Sequence, residues 1–128
     1  MRLLLDTHVV LALCGSGSAK LPRALMHRLS REDSDLVVSV ASLWEIAIKA
    51  HLGKLRLGME LKDFPELLRS MGLAILPIGE RHVLETPEPE PETRDPFDRL
   101  LLNQCEVEQM ALVTIDRALS GHRLALKP

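Results

Sequence analysis

Residues 36–55 read LVVSVASLWEIAIKAHLGKL. Residues 36–40 are rich in β-branched side chains and lack the polar alternation of a half-exposed strand, which suits a strand covered on both faces, as in parallel sheets. Apolar residues then recur at helical spacing through 41–55. Gly53 closes that run, with Lys49 and His51 near its carboxyl end, where cations suit the helix dipole. A buried strand feeding directly into a helix is half of a β–α–β unit, and the unit recurs on either side. Upstream, residues 2–5 (RLLL) predict a strand and 9–13 (VVLAL) a short helix beyond Asp6, followed by a loop over 15–18. Pro22 near a first turn predicts a helix to about Arg31.

Downstream, a helix is expected over 61–71, starting near Pro65, then a strand at 73–76 ended by Pro77 and a short helix at 79–85. TPEPEPET (86–93) alternates proline with acid and predicts an extended, solvated surface loop. A helix over 95–108, a strand at 111–114, a helix at 116–120 and a last short strand at 124–126 complete the chain. Strands alternating with helices predict a three-layer α/β/α sandwich around a mostly parallel sheet of four to five strands, in one domain spanning 1–128.

The bulk composition narrows the function. The chain has 128 residues, 46% of them hydrophobic and 27% charged, an ordinary balance for a globular domain. Sixteen basic against eighteen acidic residues leave a formal charge of −2, so broad electrostatic capture of nucleic acid is excluded. Aromatic residues are scarce, only Trp44, Phe64 and Phe97, which argues against a single-strand nucleic-acid binder of the stacking type, since that needs aromatic platforms. Trp44 is expected in the core. Cys14 and Cys105 lack zinc or C-x-x-C spacing and read as free thiols of a cytoplasmic protein. The apolar start, broken by Asp6 and His8, is too short to span a membrane.

Four acids fall where strands give way to helices or helices begin: Asp6, Glu45, Asp98 and Asp116. In a parallel sheet those points share one edge, so the four should converge closely enough to share an ion. Clustered carboxylates require protons or a cation to relieve repulsion, and hard divalent ions prefer oxygen ligands. Each acid also has a structural reading. Asp6 and Asp116 could cap helices, Ser42-Leu-Trp-Glu45 has the form of a capping box, and Glu45 could pair with Lys49. Asp95 is expected to cap the helix that Pro96 begins, with a supporting role beside Asp98 as the lesser option. Thr7 and Thr114 flank acids and could orient them. Lys49, Arg99 and Arg117 could meet phosphates. His8, His51, His82 and His122 show no ligand spacing.

Three stretches together, LLLDTHVVLAL (3–13), VSVASLWEIAIK (38–49) and RDPFDRLLLNQCEVEQMALVTID (94–116), carry a family resemblance. The chain resembles the PIN-domain ribonucleases, and most closely the VapC-type toxins of bacterial toxin–antitoxin pairs. That resemblance implies a PIN-like fold and hydrolysis of RNA phosphodiesters with Mg²⁺ or Mn²⁺. It implies Asp6, Glu45, Asp98 and the more variable Asp116 as catalytic and metal-binding acids. It further implies a homodimer and a VapB-like antitoxin partner. A haloacid-dehalogenase-like phosphatase would require a second Asp two residues after Asp6, where this chain has His8. A catalytically silent PIN-like binding module would be favoured by loss of a principal acid, and none is lost.

Overall fold

The structure is a computed structural model describing residues 1–16 and 20–127; Gly17 and Ser18 of the expected 15–18 loop lie outside them. Four strands form one all-parallel sheet: β1 (Arg2–Leu5), β2 (Asp35–Ser39), β3 (Ala74–Leu76) and β4 (Ala111–Val113), in the order β3-β2-β1-β4. β1 is the most protected, since Leu3, Leu4 and Leu5 are all 0% exposed. Its alternating side chains build two cores. Leu3 and Leu5 pack with Val38 and Val113 against Val9, Leu25, Phe64 and Leu68 on one face. Leu4 packs with Val37 and Leu112 against Leu101, Leu102, Cys105 and Leu119 on the other. Strands buried on both faces need helices on both faces, which is the physical content of the three-layer expectation.

The helices are α1 (Thr7–Leu13), α2 (Arg23–Leu29), α3 (Val40–His51), α4 (Phe64–Ser70), α5 (Glu80–Leu84), α6 (Pro96–Glu108) and α7 (Arg117–Ser120). A short 3₁₀ turn at Leu61–Asp63 opens α4, so the start expected near Pro65 stands one residue earlier. α3 begins directly at Val40, without a connecting loop. Its N-cap is Ser39, whose side chain accepts from the Ala41 N–H at 2.9 Å. Ser42 therefore lies inside the first turn, and the capping box expected between Ser42 and Glu45 does not form. Gly53, at φ 72°, stands just beyond α3, where the Lys54 N–H returns to the Lys49 carbonyl at 2.9 Å. Glycine takes that left-handed position without steric cost.

The final strand expected at 124–126 is reduced to a single parallel bridge between Leu112 and Ala125. Two backbone bonds hold it, Leu112 N–H to Leu124 O at 2.8 Å and Leu126 N–H to Leu112 O at 2.7 Å. Trp44 departs further from expectation: it is 61% exposed rather than core. It occupies the face of α3 turned away from Ser42 and Ile46, which with Ala41 supply the burial. The proline–acid loop runs over the surface as expected but is pinned. His122 Nε2 donates to Pro89 O at 2.8 Å, Arg123 Nε donates to Glu88 O at 3.0 Å, and Arg99 pairs with Glu90. No helix among the described residues is long and apolar enough to cross a membrane.

Because α3 carries Glu45, its start fixes that acid's height above the sheet. Ser39→Ala should cost about 1 kcal/mol in urea unfolding with an unchanged m-value. A harmless Ser39→Ala would place the cap elsewhere.

Candidate metal centre at the topological switch point

From β1 the chain moves outward through β2 to β3, then returns to place β4 on the other side of β1. The strand order therefore reverses between β1 and β4. In open parallel sheets the crevice outside the carboxyl ends at such a reversal is where ligands bind. Asp6 stands there. Its backbone N–H donates to Val113 O at 2.9 Å, so ladder bonding between β1 and β4 runs up to the acid and stops.

Asp6 is 4% exposed, and its side chain makes no cap bond to α1. Instead Oδ2 accepts from Thr114 Oγ1 at 2.7 Å. Burial raises the pKa of this carboxyl above its ordinary value, and the charge of Glu45 adds to the effect. The Thr114 hydroxyl, His8 and the Thr7 backbone act the other way, in favour of the anion. Thr7 has a second task. Its hydroxyl donates to Ser42 Oγ at 2.9 Å within the core, tying the start of α1 to the first turn of α3.

Asp98 lies in the first turn of α6 but leaves the capping to Asp95, which accepts from the Phe97 N–H at 2.9 Å. Asp98 Oδ2 accepts from Thr93 Oγ1 at 3.0 Å. Its pKa is pushed up to about 6, first by burial and then by the charges of Asp95, Asp6 and Asp116, while the Thr93 bond pulls it down. The charges of Asp6, at the end of β1, and Asp116, beyond β4, both act on the Asp98 carboxyl in the first turn of α6. Asp116 is the N-cap of α7, accepting from the Ala118 N–H at 2.9 Å.

One device occurs twice. In Thr93-Arg94-Asp95 the Asp95 N–H donates to Thr93 Oγ1 at 3.1 Å while that hydroxyl donates to Asp98. In Thr114-Ile115-Asp116 the Asp116 N–H donates to Thr114 Oγ1 at 3.0 Å while that hydroxyl donates to Asp6. In each case the Thr-x-Asp turn supplies a helix cap and orients a different carboxylate that caps nothing. Thr93, 8% exposed, went unnoticed in the sequence. The repeated Thr-x-Asp spacing was the signal that could have found it.

Glu45 is the acid most engaged elsewhere. Its Oε2 stands 3.2 Å from Lys49 Nζ one turn on, although its charge still reaches Asp6. The expectation of four acids already gathered as ligands is not met. Among the described residues no group of three or more His, Cys, Asp or Glu side chains is arranged to hold one metal ion. The reason is visible in the partners: Glu45 is drawn to Lys49, Asp116 to the α7 amide and Asp98 to Thr93, and mutual repulsion opposes closer approach. The donors nevertheless fit a hard divalent cation in type and sign. They are oxygen ligands, one of them holding its proton to about pH 6 through burial and the charges of neighbouring carboxylates. Magnesium takes only one or two protein carboxylates directly and keeps its waters, so it does not require a closed cage.

The model of the PIN domain matches residues 3–123, nearly the whole chain, and the chain belongs to the PIN-domain family. PIN domains are generally nucleases and usually employ divalent metal ions. Among curated proteins none matches the chain.

The raised pKa of Asp98 has a thermodynamic consequence. The fold keeps its proton to about pH 6, whereas the unfolded chain releases it near the ordinary value of 3.8. The resulting stability is present in full below the unfolded value and is lost as pH rises through about 6. Metal-free protein should therefore melt lower at pH 7.5 than at pH 5 through this group, and Asp98→Asn should flatten that dependence. Thermal melts of both chains in chelator check it; parallel pH profiles would remove Asp98 as the source.

Proposed function

We propose that this chain is a metal-dependent endoribonuclease and the toxin of a VapBC-type toxin–antitoxin pair. The observation that carries the reading is that the Asp6 and Asp98 side chains make no helix-cap hydrogen bond, yet each accepts from the hydroxyl of a threonine. Asn or Asp would serve equally well in a cap, whereas orienting two repelling carboxylates has no structural return. PIN membership gives that arrangement its chemistry.

The reaction is phosphodiester hydrolysis. Water adds to phosphorus, the bond from phosphorus to the leaving sugar oxygen breaks, and that oxygen takes a proton. Asp6, Asp98, Glu45 and Asp116 are the residues that would hold Mg²⁺ or Mn²⁺, which would supply Lewis-acid polarisation and a lowered pKa for a bound water. Asp6 and Asp98 are oriented by Thr114 and Thr93. Glu45 would have to give up Lys49 to take part, whereas Asp116 engages the Ala118 N–H through Oδ1 and would retain Oδ2. Arg117 is exposed beside Asp116 and is suited to a substrate phosphate, whereas Lys49 and Arg99 already serve Glu45 and Glu90.

The same reading includes a homodimer and a VapB-like antitoxin, one segment of which occupies the groove over the acids. Cys14 and Cys105 are both free thiols, which supports a cytoplasmic setting.

Purified chain should cleave RNA in Mg²⁺ or Mn²⁺ and stop in chelator. Asp6→Asn and Asp98→Asn should abolish cleavage and growth inhibition while remaining folded, Glu45→Gln should act similarly, and Asp116→Asn should be milder. Thr93→Val and Thr114→Val should weaken metal binding by about 10–100-fold, the usual loss when a ligand's orienting partner is removed. Undiminished cleavage by Asp6→Asn would return these acids to structural roles.

A further inference from the structure

We propose that the groove between the proline–acid loop and α7 reads a guanine of the RNA beside the acid site, with Glu92 as the residue that recognises it. The inference rests on the nuclease reading above. The groove has a volume of about 180 Å³ and lies between Pro89, Pro91 and Glu92 on the loop side and Arg117 and Gly121 on the other. Pockets for drug-sized ligands run to roughly 300–1,000 Å³, so this one suits a single planar base rather than a longer segment. Both walls continue into the acid site. Glu92 directly precedes Thr93, whose hydroxyl donates to Asp98 at 3.0 Å, and Arg117 directly follows Asp116. The loop wall is fixed in place. His122 Nε2 donates to Pro89 O at 2.8 Å while its Nδ1 accepts from the Leu124 N–H at 3.1 Å, which sets the tautomer. Arg123 and Arg99 hold Glu88 and Glu90. On the opposite wall a Cβ added to Gly121 would meet nothing within 4 Å, so the space beside that residue is open.

RNA comes from the nuclease reading; the groove decides which base. Glu90 is committed to Arg99, whereas Glu92 is exposed and makes no ion pair among the described residues. The Glu92 carboxylate offers two acceptor oxygens and no donor. The Watson–Crick edge of guanine presents two adjacent donors, N1–H and N2–H₂, which one carboxylate accepts together. Adenine and cytosine present one amino group beside an acceptor nitrogen, and uracil one N–H between two carbonyls. Each of those sets an acceptor against an acceptor. A site built to accept from a particular donor rejects the analogue that lacks it, because its polar atom is then left unpaired. Arg117 supplies a guanidinium on the opposite wall, suited to the phosphate of the same nucleotide. The base thus meets the acid and the phosphate meets the cation.

Binding can be read without cleavage. In chelator, NMR titration of the isotope-labelled full chain with 5′-GMP should shift the Glu92 and Gly121 amides saturably. 5′-AMP, and 5′-IMP with its missing 2-amino group, should bind about tenfold more weakly. In Mg²⁺ or Mn²⁺, the wild-type chain acting on random-sequence RNA should leave guanine enriched at one fixed position beside the cut. Glu92→Gln keeps the side-chain length but replaces one acceptor with a donor. It should lower the ratio of kcat/KM for guanine over adenine at that position about tenfold. Gly121→Leu fills the groove at a residue of ordinary φ, −85°, and should remove the same preference. A packing defect alone would slow cleavage of every sequence together and leave the ratio unmoved. 5′-AMP shifting these amides as strongly as 5′-GMP overturns the proposal, as does a Glu92→Gln ratio within about twofold of wild type. Failure of the nuclease reading looks different: 5′-GMP shifts both amides selectively, yet the wild-type chain cleaves no RNA in Mg²⁺ or Mn²⁺.

Discussion

The buried carboxylate of Asp6 is the constraint around which the rim is organised. It sits at the end of a strand whose side chains are wholly enclosed, and it is itself 4% exposed. A charge in that position is costly unless hydrogen bonds or an opposite charge compensate it. Thr114 provides the closest compensation, at 2.7 Å, and can do so because β4 runs parallel to β1 in a register that pairs Leu5 with Val113. The same register sets the Thr-Ile-Asp turn at the mouth of the crevice. On the other flank, the Thr7–Ser42 bond holds α3 at the height that lets Glu45 be felt at Asp6. The burial that leaves Asp6 still raised in pKa is stability given up at a functional site, where such departures from local consistency are expected.

Capping and charge presentation are divided between different acids. Asp95 and Asp116 satisfy helix amides, while Asp98 and Asp6 accept from the threonines that precede those caps. The proline–acid loop gains a purpose from this arrangement. Its hold on His122, Arg123 and Arg99 anchors the chain that delivers Thr93 to Asp98. A loop free to wander would leave Asp98 without its only side-chain hydrogen-bond donor among the described residues.

Much of this was legible in the sequence because parallel sheets are repetitive. The continuous apolar runs at 2–5 and 36–40 and the helical spacing after each located the layers, and the parallel rule placed Asp6, Asp98 and Asp116 on one edge. What escaped reading depends on partners distant in sequence. Ser39 rather than Ser42 caps α3 because the strand turns into helix without a loop, which propensity cannot show. Trp44 reads as core from its apolar neighbours, but the helix rotation fixed by Ser42 and Ile46 turns it outward. Thr93 meets Asp98 only because the loop is fastened by residues some 30 positions later. The acids themselves are less gathered than their alignment on one rim suggested, since each finds a local partner in place of a cation.

The central claim is that these carboxylates are held for a cation, and calorimetric titration with Mn²⁺ or Mg²⁺ tests it most directly. Asp98 is half protonated near pH 6, so binding there should expel about half a proton per chain, seen as a dependence of the heat on the buffer's ionisation enthalpy. At pH 8 the release should vanish, and in Asp98→Asn it should be absent at both values. No binding heat, or binding at pH 6 without proton release, would contradict the account.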